Sequence, residues 1–125
     1  MCGFVVVWHL NDEPLNEAKL RVARDTLVHR GPDDSGEFVT ENFGMGFRRL
    51  SIQDLSPAGH QPMENKDGNL VIVFNGEIFN FVEIRKELIG LGCVFKSLCD
   101  TEVLLAAYEQ WGKSCVNKFN GMWAF

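Results

Sequence analysis

The first ten residues, Met1-Cys2-Gly3-Phe4-Val5-Val6-Val7-Trp8-His9-Leu10, decide how the fold begins. β-Branched and aromatic side chains dominate residues 3–10, and no helical stripe of apolar residues runs through them. This composition predicts a buried strand over residues 3–10. Cys2 stands immediately before that strand, at the second position of the chain.

Further along the chain, helix-like and strand-like segments alternate between turn residues. Residues 11–14 predict a turn, and the apolar spacing over residues 15–27 predicts a helix. Residues 51–68 show little periodicity and predict a long loop, which in a compact domain is often functional. The remaining predictions are strands at residues 37–40, 45–50, 69–75, 93–96 and 121–125, a helix capped by Asn80 with Ile84, Leu88 and Leu91 in its stripe, and a helix opened by Asp100.

Length and charge restrict the classes of partner. A chain of 125 residues amounts to a single domain, and its net charge of −5 would repel nucleic acid and anionic lipid. The longest apolar runs are far shorter than the roughly 20 residues that a membrane span needs. No basic segment precedes an apolar one near the start, so we expect no signal peptide and a cytoplasmic location.

The cysteines and histidines show no metal-site spacing. Cys93, Cys99 and Cys115 form no C-x-x-C pair with one another or with Cys2, and no histidine cluster accompanies them. We therefore predict neither a bound metal nor a disulfide framework. Cys93 and Cys115 are interpreted as small buried hydrophobic residues.

Cys2 is distinguished by its position. If an aminopeptidase removes Met1, one residue carries both a thiol, with a reference pKa of about 8.5, and an α-amine, with a reference pKa of about 7.7–8.0. Such an amine can accept the thiol proton, so a terminal residue supplies both nucleophile and base. The alternative is a chance cysteine buried at the start of a strand.

Three further segments are ambiguous when each is taken alone. Asn75-Gly76-Glu77 is either a hairpin turn or an oxyanion hole at the end of a strand, formed by the Asn75 side-chain amide and the Gly76 N–H. One of Arg48 and Arg49 could face inward to bind a small carboxylate, and alternation does not say which. Asp100 is either a helix N-cap or an anion that holds a substrate ammonium group.

These segments occur in a known order. They are Met1-Cys2-Gly3, His29-Arg30-Gly31-Pro32-Asp33-Asp34-Ser35-Gly36, Arg49-Leu50-Ser51-Ile52, Gly59-His60-Gln61-Pro62, Asn75-Gly76-Glu77-Ile78-Phe79-Asn80, Asp100-Thr101-Glu102-Val103 and Gly121-Met122-Trp123-Ala124-Phe125. Over its whole length the chain resembles the glutaminase domain of class II glutamine amidotransferases. It looks most like the asparagine synthetase branch, since the Arg-Gly-Pro-Asp and Arg-Leu-Ser-Ile signatures are typical of that branch.

The resemblance implies a role for each matching position. Cys2 would be the nucleophile that forms a thioester with glutamine, and Asn75 and Gly76 would form the oxyanion hole. Arg49 would bind the α-carboxylate of L-glutamine, and Glu77 and Asp100 would hold its ammonium group. The pocket would be lined, mostly through backbone, by Leu50, Ser51, Ile52 and Gln53.

The resemblance also implies a fold and partners. The family fold is an α+β, N-terminal-nucleophile (Ntn) hydrolase: a four-layer αββα sandwich with two antiparallel sheets. The family's domain continues beyond residue 125, so residues 1–125 would be its N-terminal portion. ATP and magnesium are expected only in a C-terminal synthetase domain that consumes the ammonia, and the glutaminase step itself needs no cofactor.

Three residues depart from the family pattern. Val6 stands where the family usually has glycine, Cys99 stands where serine is common, and Phe79 replaces a frequent tyrosine. A truncated, non-catalytic module that binds glutamine or a partner is the alternative function, since missing strands would loosen the site. A thiol redox protein lacks the expected cysteine spacing.

Overall fold

The computed structural model describes residues 1–11 and 13–125, and within them seven strands and three α-helices form. The strands are β1 (Gly3–Trp8), β2 (Asp34–Val39), β3 (Phe43–Arg49), β4 (Met63–Glu64), β5 (Val71–Ile72), β6 (Asn75–Ile78) and β7 (Gly121–Ala124). The helices are α1 (Glu17–Asp25), α2 (Phe81–Gly90) and α3 (Asp100–Trp111), and short 3₁₀ helices cover Pro57–Gly59 and Gly112–Lys118.

All strand pairs are antiparallel and belong to three hydrogen-bonded sheets in the described residues. One sheet has the order β1-β3-β2, and the pairs β4-β5 and β6-β7 form the other two. The α+β class with antiparallel sheets is therefore confirmed. The family resemblance implied two sheets, whereas the described strands form three hydrogen-bonded sheets.

The register of the first sheet determines what surrounds Cys2. Gly3 pairs with Arg48 and Asp34 pairs with Arg49, so the last residues of β3 lie between β1 and β2. Gly31 lies so close to this point that a Cβ there would stand 2.4 Å from the carbonyl carbon of Arg48. The main chain after α1 therefore packs directly against the end of β3.

The main hydrophobic core lies around α2 and α3. Its buried members pack the two helices against the strands after residue 70, and they are Ile72, Phe74, Ile78, Ile84, Leu88, Val103, Leu104, Leu105, Ala107 and Cys115. Burial of Cys115 agrees with its predicted interpretation, whereas Cys93 is only partly buried. None of the helices in residues 1–11 and 13–125 is both long and apolar enough to cross a membrane.

Several predicted elements are confirmed with shifted ends. The helix predicted over residues 15–27 is α1, and the Asn16 side chain caps it by accepting a hydrogen bond of 3.0 Å from Lys19 N–H. The strand predicted over residues 3–10 ends at Trp8 and is only partly buried, since Val6 and Trp8 are exposed to solvent, so the prediction of a buried strand is corrected. Asp12 of the predicted turn lies outside the described residues.

The strand predicted over residues 69–75 was wrong in extent. Only Val71–Ile72 pairs there, and Asn75 begins β6. The reason is that the Phe74 N–H donates to the Gln61 side chain at 2.6 Å and so leaves the strand ladder. Asn75 and Gly76 therefore lie at the start of a strand, and the prediction that they end one is corrected.

The strand predicted over residues 93–96 does not form. The Cys93 N–H continues the end of α2 by donating to Leu88 O at 3.0 Å, and the Lys96 N–H donates to Glu102 Oε1 at 2.9 Å. Leu91, predicted in the buried stripe of α2, is 53% exposed. Asn80 holds the N-cap position, but its side chain bonds the main chain of Lys118 and Asn120.

Candidate active site

A cavity of about 310 Å³ opens where the ends of β3, β6 and α3 approach the start of the chain. Pockets for small ligands begin at about this volume. The predicted site residues that line it are Cys2, Arg49, Leu50, Ile52, Gln53, Asn75, Gly76, Glu77 and Asp100. Ser51 is not among the lining residues, and its N–H donates to Asp33 Oδ2 at 2.8 Å.

The main chain positions Cys2. Its Sγ accepts a hydrogen bond from Leu50 N–H at 3.3 Å and lies 3.6 Å from Leu50 O. On the other side, Arg30 Nε donates to the Cys2 carbonyl at 3.0 Å. The sulfur therefore lies against Leu50, the residue that follows β3. The Arg30-Gly31-Pro32-Asp33 segment contacts both sides of this pair, because Arg30 bonds the Cys2 carbonyl and the Asp33 N–H donates to Arg49 O.

The structure distinguishes the two adjacent arginines. Arg48 is partly buried and makes an ion pair of 2.7 Å with the exposed Asp25. Arg49 is buried, donates to Ser56 O at 3.0 Å and also donates to Asp54 O. Alternation could not decide between the two residues, and the fold turns Arg49 toward the cavity.

Gly59 explains how the guanidinium of Arg49 fits. A Cβ at this position would stand 2.0 Å from a terminal nitrogen of Arg49. Any side chain would displace the guanidinium, so glycine is required there for packing and not for a special backbone angle. This contact connects two motifs that are ten residues apart in the sequence.

Asp54 ties the Arg49 loop to the segment before α3. Its carboxylate accepts hydrogen bonds of 2.8 Å from Leu98 N–H and from Ser56 N–H. These donors, Leu98 first, lower the pKa of Asp54 to about 2. The loop that holds Arg49 and the residues leading to Asp100 therefore share one charged anchor.

Asn75 and Gly76 lie on β6 beside β7. Asn75 pairs with Ala124, and Gly76 pairs with Trp123. A Cβ on Gly76 would stand 2.4 Å from Met122 O, so β7 approaches too closely for any side chain. Glycine therefore has a packing reason at this position in addition to the predicted access of its N–H to a substrate.

Asp100 is a buried carboxylate at the start of α3. Its Oδ2 accepts from Ile78 N–H at 3.0 Å, and its own N–H donates to Gln53 Oε1 at 3.2 Å. Burial raises the pKa of Asp100, the Ile78 hydrogen bond opposes the rise, and the charge of Glu77 adds to it. A cation placed here would relieve the cost of this buried charge.

Sequence reasoning assigned no role to several residues that line the cavity. They are Met1, Asp54, Gly59, Gln61, Phe74, Phe79, Cys99, Thr101 and Met122. The Gly59-His60-Gln61-Pro62 motif was a visible signal without an assigned chemistry. In the structure His60 faces outward to Asp34, with a separation of 2.7 Å, while Gln61 faces inward and is buried.

The cavity brings opposite charges and a thiol together. A buried guanidinium, three carboxylic side chains (Asp54, Glu77 and Asp100), three amide side chains and the Cys2 sulfur share its wall. Such a set can hold a small molecule that carries both a carboxylate and an ammonium group, with the sulfur available for attack. Within the described residues, no group of three or more His, Cys, Asp or Glu side chains could hold a metal ion.

Comparison with known proteins agrees with this chemistry. The chain is similar to asparagine synthetase [glutamine-hydrolyzing] 1 of Bacillus subtilis (strain 168), with 45% identity over all of the chain and 20% of the relative. It is 39% identical to asparagine synthetase [glutamine-hydrolyzing] 3 of the same organism, over all of the chain and 21% of that protein. A putative asparagine synthetase [glutamine-hydrolyzing] 2 of Methanocaldococcus jannaschii is 36% identical, over all of the chain and 27% of its length.

The chain thus spans between 20% and 27% of the length of these curated relatives. The family described as glutamine amidotransferase domain matches residues 1–125, the whole of the given chain. The chain belongs to the glutamine amidotransferase domain family.

Proposed function

We propose that this chain is the glutaminase part of an asparagine-synthetase-like amidotransferase and hydrolyses L-glutamine to glutamate and ammonia. The observation that carries the proposal is that Cys2, Arg49, Asn75 and Asp100 line one cavity although they are far apart in sequence. We further propose that the domain has the four-layer Ntn-hydrolase fold and works in the cytoplasm.

The two ends of glutamine are bound by opposite charges. Arg49 donates to the α-carboxylate, and a guanidinium has five N–H donors, so its bonds to the loop carbonyls leave donors for substrate. Asp100 and Glu77 hold the ammonium group. Of the residues that follow Arg49, Leu50, Ile52 and Gln53 border the side chain of glutamine, mainly through their backbone, and Ser51 lies outside the cavity wall.

Chemistry begins when Met1 has been removed and the amine of Cys2 is free. The amine accepts the thiol proton, and the sulfur attacks the side-chain amide carbon of glutamine. A carbon–sulfur bond forms while the carbonyl π electrons move onto oxygen. Asn75 and Gly76 donate to this oxyanion, an interaction that in other hydrolases is worth about 10²–10³-fold in rate.

The tetrahedral intermediate then collapses. The carbon–nitrogen bond breaks, the leaving nitrogen takes the proton from the Cys2 ammonium, and ammonia departs from a thioester on Cys2. A water molecule, deprotonated by the same amine, attacks the thioester. The carbon–sulfur bond breaks, glutamate leaves, and the proton returns to the sulfur.

The ammonia needs an acceptor elsewhere in the polypeptide. We propose that a C-terminal synthetase domain, with ATP and magnesium, activates that acceptor. The names of the relatives, asparagine synthetase [glutamine-hydrolyzing], support this assignment.

A second candidate function is a non-catalytic module that binds glutamine. Met1 lines the cavity and acylates the Cys2 nitrogen while it remains attached. An acylated nitrogen cannot act as the base. Mass spectrometry of the natural N-terminus separates the two functions, because the hydrolase requires a chain that starts at Cys2.

The decisive experiment substitutes the nucleophile. In the full-length polypeptide that carries this chain, Cys2→Ala should lower glutamine hydrolysis by about 10⁴-fold or more, as loss of a covalent nucleophile does in other hydrolases. Ammonia release from glutamine is the measurement. Synthesis driven by added ammonia should survive, since that step does not use the thiol.

The matched control is Cys93→Ala, because Cys93 is partly buried and is not among the residues that line this cavity. A glutamine-mimicking electrophile should label the Cys93→Ala protein and fail to label Cys2→Ala. Undiminished glutamine hydrolysis in Cys2→Ala would refute the proposed function.

A further inference from the structure

We propose that Gln61 is a positioning residue that fixes the position of the oxyanion donors, Asn75 and Gly76, relative to the ammonium-binding carboxylate of Asp100. This inference rests on the proposed glutaminase function and assigns a role to a residue that does not itself react. The geometry of one side-chain amide carries it.

Both polar atoms of the Gln61 side chain are engaged. Its Oε1 accepts from Phe74 N–H at 2.6 Å, and its Nε2 donates to Thr101 Oγ1 at 3.1 Å. The residue is 4% exposed, and it lines the cavity that also contains Cys2. A buried amide with both ends paired is rigid, since leaving either partner unpaired costs the desolvation of that group.

The two partners lie next to the proposed substrate-binding groups. Phe74 directly precedes Asn75, so the Gln61 oxygen fixes the main chain that enters β6. Thr101 directly follows Asp100, so the Gln61 nitrogen fixes the first turn of α3. A single amide therefore spans the distance between the oxyanion donors and the carboxylate.

The backbone of Gln61 is itself restrained by the first sheet. A Cβ on Gly36, in β2, would stand 2.1 Å from Gln61 O. Gly36 thus permits direct contact between β2 and the residue that holds the other two elements. Through Gln61, the sheet that carries Cys2 is connected to both β6 and α3.

This connection predicts separable kinetic effects. Gln61→Met keeps a similar side-chain length and removes both hydrogen bonds, so Asn75 and Gly76 lose their support. A misplacement near 1 Å costs up to about a hundredfold in rate, and we expect kcat to fall by about tenfold to a hundredfold with a smaller change in KM.

Thr101→Val keeps the shape of the side chain and removes only the bond on the α3 side. We expect KM for glutamine to rise by about two- to tenfold, the effect of one hydrogen bond, with a smaller change in kcat. Gln61→Glu, when protonated, places a carbonyl oxygen on Phe74 N–H and a hydroxyl on Thr101 Oγ1, whereas its ionised form is a costly buried charge. Its kcat, compared with that of Gln61→Met at the same pH, should therefore recover as the pH is lowered.

The test is steady-state glutamine hydrolysis by these variants in the full-length polypeptide, with thermal unfolding measured in parallel. Gln110→Met, the same change at an exposed position of α3, is the control and should leave kcat and KM unchanged. If Gln61→Met fails to fold, Thr101→Val still tests the α3 side of the connection.

Three results would overturn the inference while leaving the proposed function intact. They are kinetics of Gln61→Met equal to those of Gln110→Met, full recovery of its activity at a lower temperature where it is folded, or no recovery in Gln61→Glu as the pH is lowered. If instead Cys2→Ala hydrolyses glutamine as fast as the unmodified protein, the proposed function itself fails.

Discussion

The region that carries Cys2 and the region that carries Asn75 and Asp100 are held together differently. In the first region, β1, β3, β2 and α1, the buried apolar side chains among the described residues are Leu20 and Phe47. In the second region, α2, α3 and the strands after residue 70, ten buried residues form one core cluster.

Ion pairs of the described residues, in contrast, are more numerous on the first region than on the second. On the first region, Arg21 pairs with Glu37 at 2.7 Å and Arg24 pairs with Asp25 at 2.8 Å, mostly in contact with solvent. Solvent screens pairs of this kind, so they contribute little to stability. The first region therefore depends on its strand ladders and on close backbone contacts such as that of Gly31.

The two regions therefore position their site residues in different ways. Cys2 is positioned by the Leu50 N–H, which donates to its sulfur, and by the Arg30 side chain, which donates to its carbonyl, so its geometry depends on backbone spacing. Asp100 and the residues of β6 are positioned by a packed core, so their geometry depends on the stability of that core. Changes in the second region should unfold the protein, and changes in the first should displace the nucleophile.

The largest effect on stability is expected from Leu88→Ala in the second region. Leu88 is fully buried on α2, and truncation of such a residue leaves a cavity that costs about 2–5 kcal/mol. Chemical denaturation of the variant and the unmodified protein measures this free energy of unfolding.

Leu91→Ala is the matched control, since Leu91 ends the same helix and is 53% exposed. Its cost should stay near the roughly 0.5 kcal/mol typical of surface changes. Equal destabilisation by the two variants would show that the core is not where the stability of this region resides.

Gly31→Ala should have a smaller effect on stability and a large effect on activity. Its Cβ would meet the Arg48 carbonyl carbon at 2.4 Å and Arg49 N at 2.6 Å, so the backbone at the end of β3 must move. Overpacking costs about 1–3 kcal/mol, and a shift near 1 Å beside Cys2 would lower kcat by up to about a hundredfold. Denaturation and glutamine hydrolysis measure the two effects.

Gly90→Ala supplies the contrast, because no atom lies within 4 Å of a Cβ built at that helical position. Alanine there should stabilise the protein by about 0.5–1 kcal/mol and leave activity unchanged. Unaltered hydrolysis by Gly31→Ala would mean that the backbone contact behind Cys2 does not control its geometry.

Local patterns in the sequence predicted much of this fold. The strand after Cys2, the helix after Asn16 and the strand that begins at Gly121 depend on composition and caps within a few residues, and they form. Residues 93–96 show the limit: they are apolar enough for a strand, but Glu102 and the end of α2 bind their N–H groups.

In the candidate site, too, some residues could be predicted from sequence motifs and others could not. Motif resemblance singled out Cys2, Arg49 and Asp100, and the fold brings them to one cavity. The roles of Gln61 and Gly59 depend on contacts with Phe74, Thr101 and Arg49 that no local pattern encodes. Such partners become visible only when strands far apart in the sequence have been placed side by side.

The smallest effect on stability, and one of opposite sign, is expected from Asp100→Asn. Because burial raises the pKa of Asp100, the native state binds its proton more tightly than the unfolded state does. Stability contributed by this group is therefore lost as pH rises through the interval between the unfolded and folded pKa values. Asparagine can still accept from Ile78 N–H, so at pH 7 the variant should be at least as stable as the unmodified protein, while KM for glutamine rises.

Asp54→Asn is the matched substitution with the reverse expectation. The pKa of Asp54 is lowered to about 2, so its charge stabilises the native state above the ordinary value of 3.8, and that contribution is lost as pH falls through 2. Asp54→Asn should thus lower the free energy of unfolding at pH 7, and its deficit should shrink in acid. Denaturation between pH 2 and 7 measures both variants. If Asp100→Asn were the less stable of the two at pH 7, the buried carboxylate would be a structural anchor, and its assignment as a costly charge kept for the substrate ammonium would be wrong.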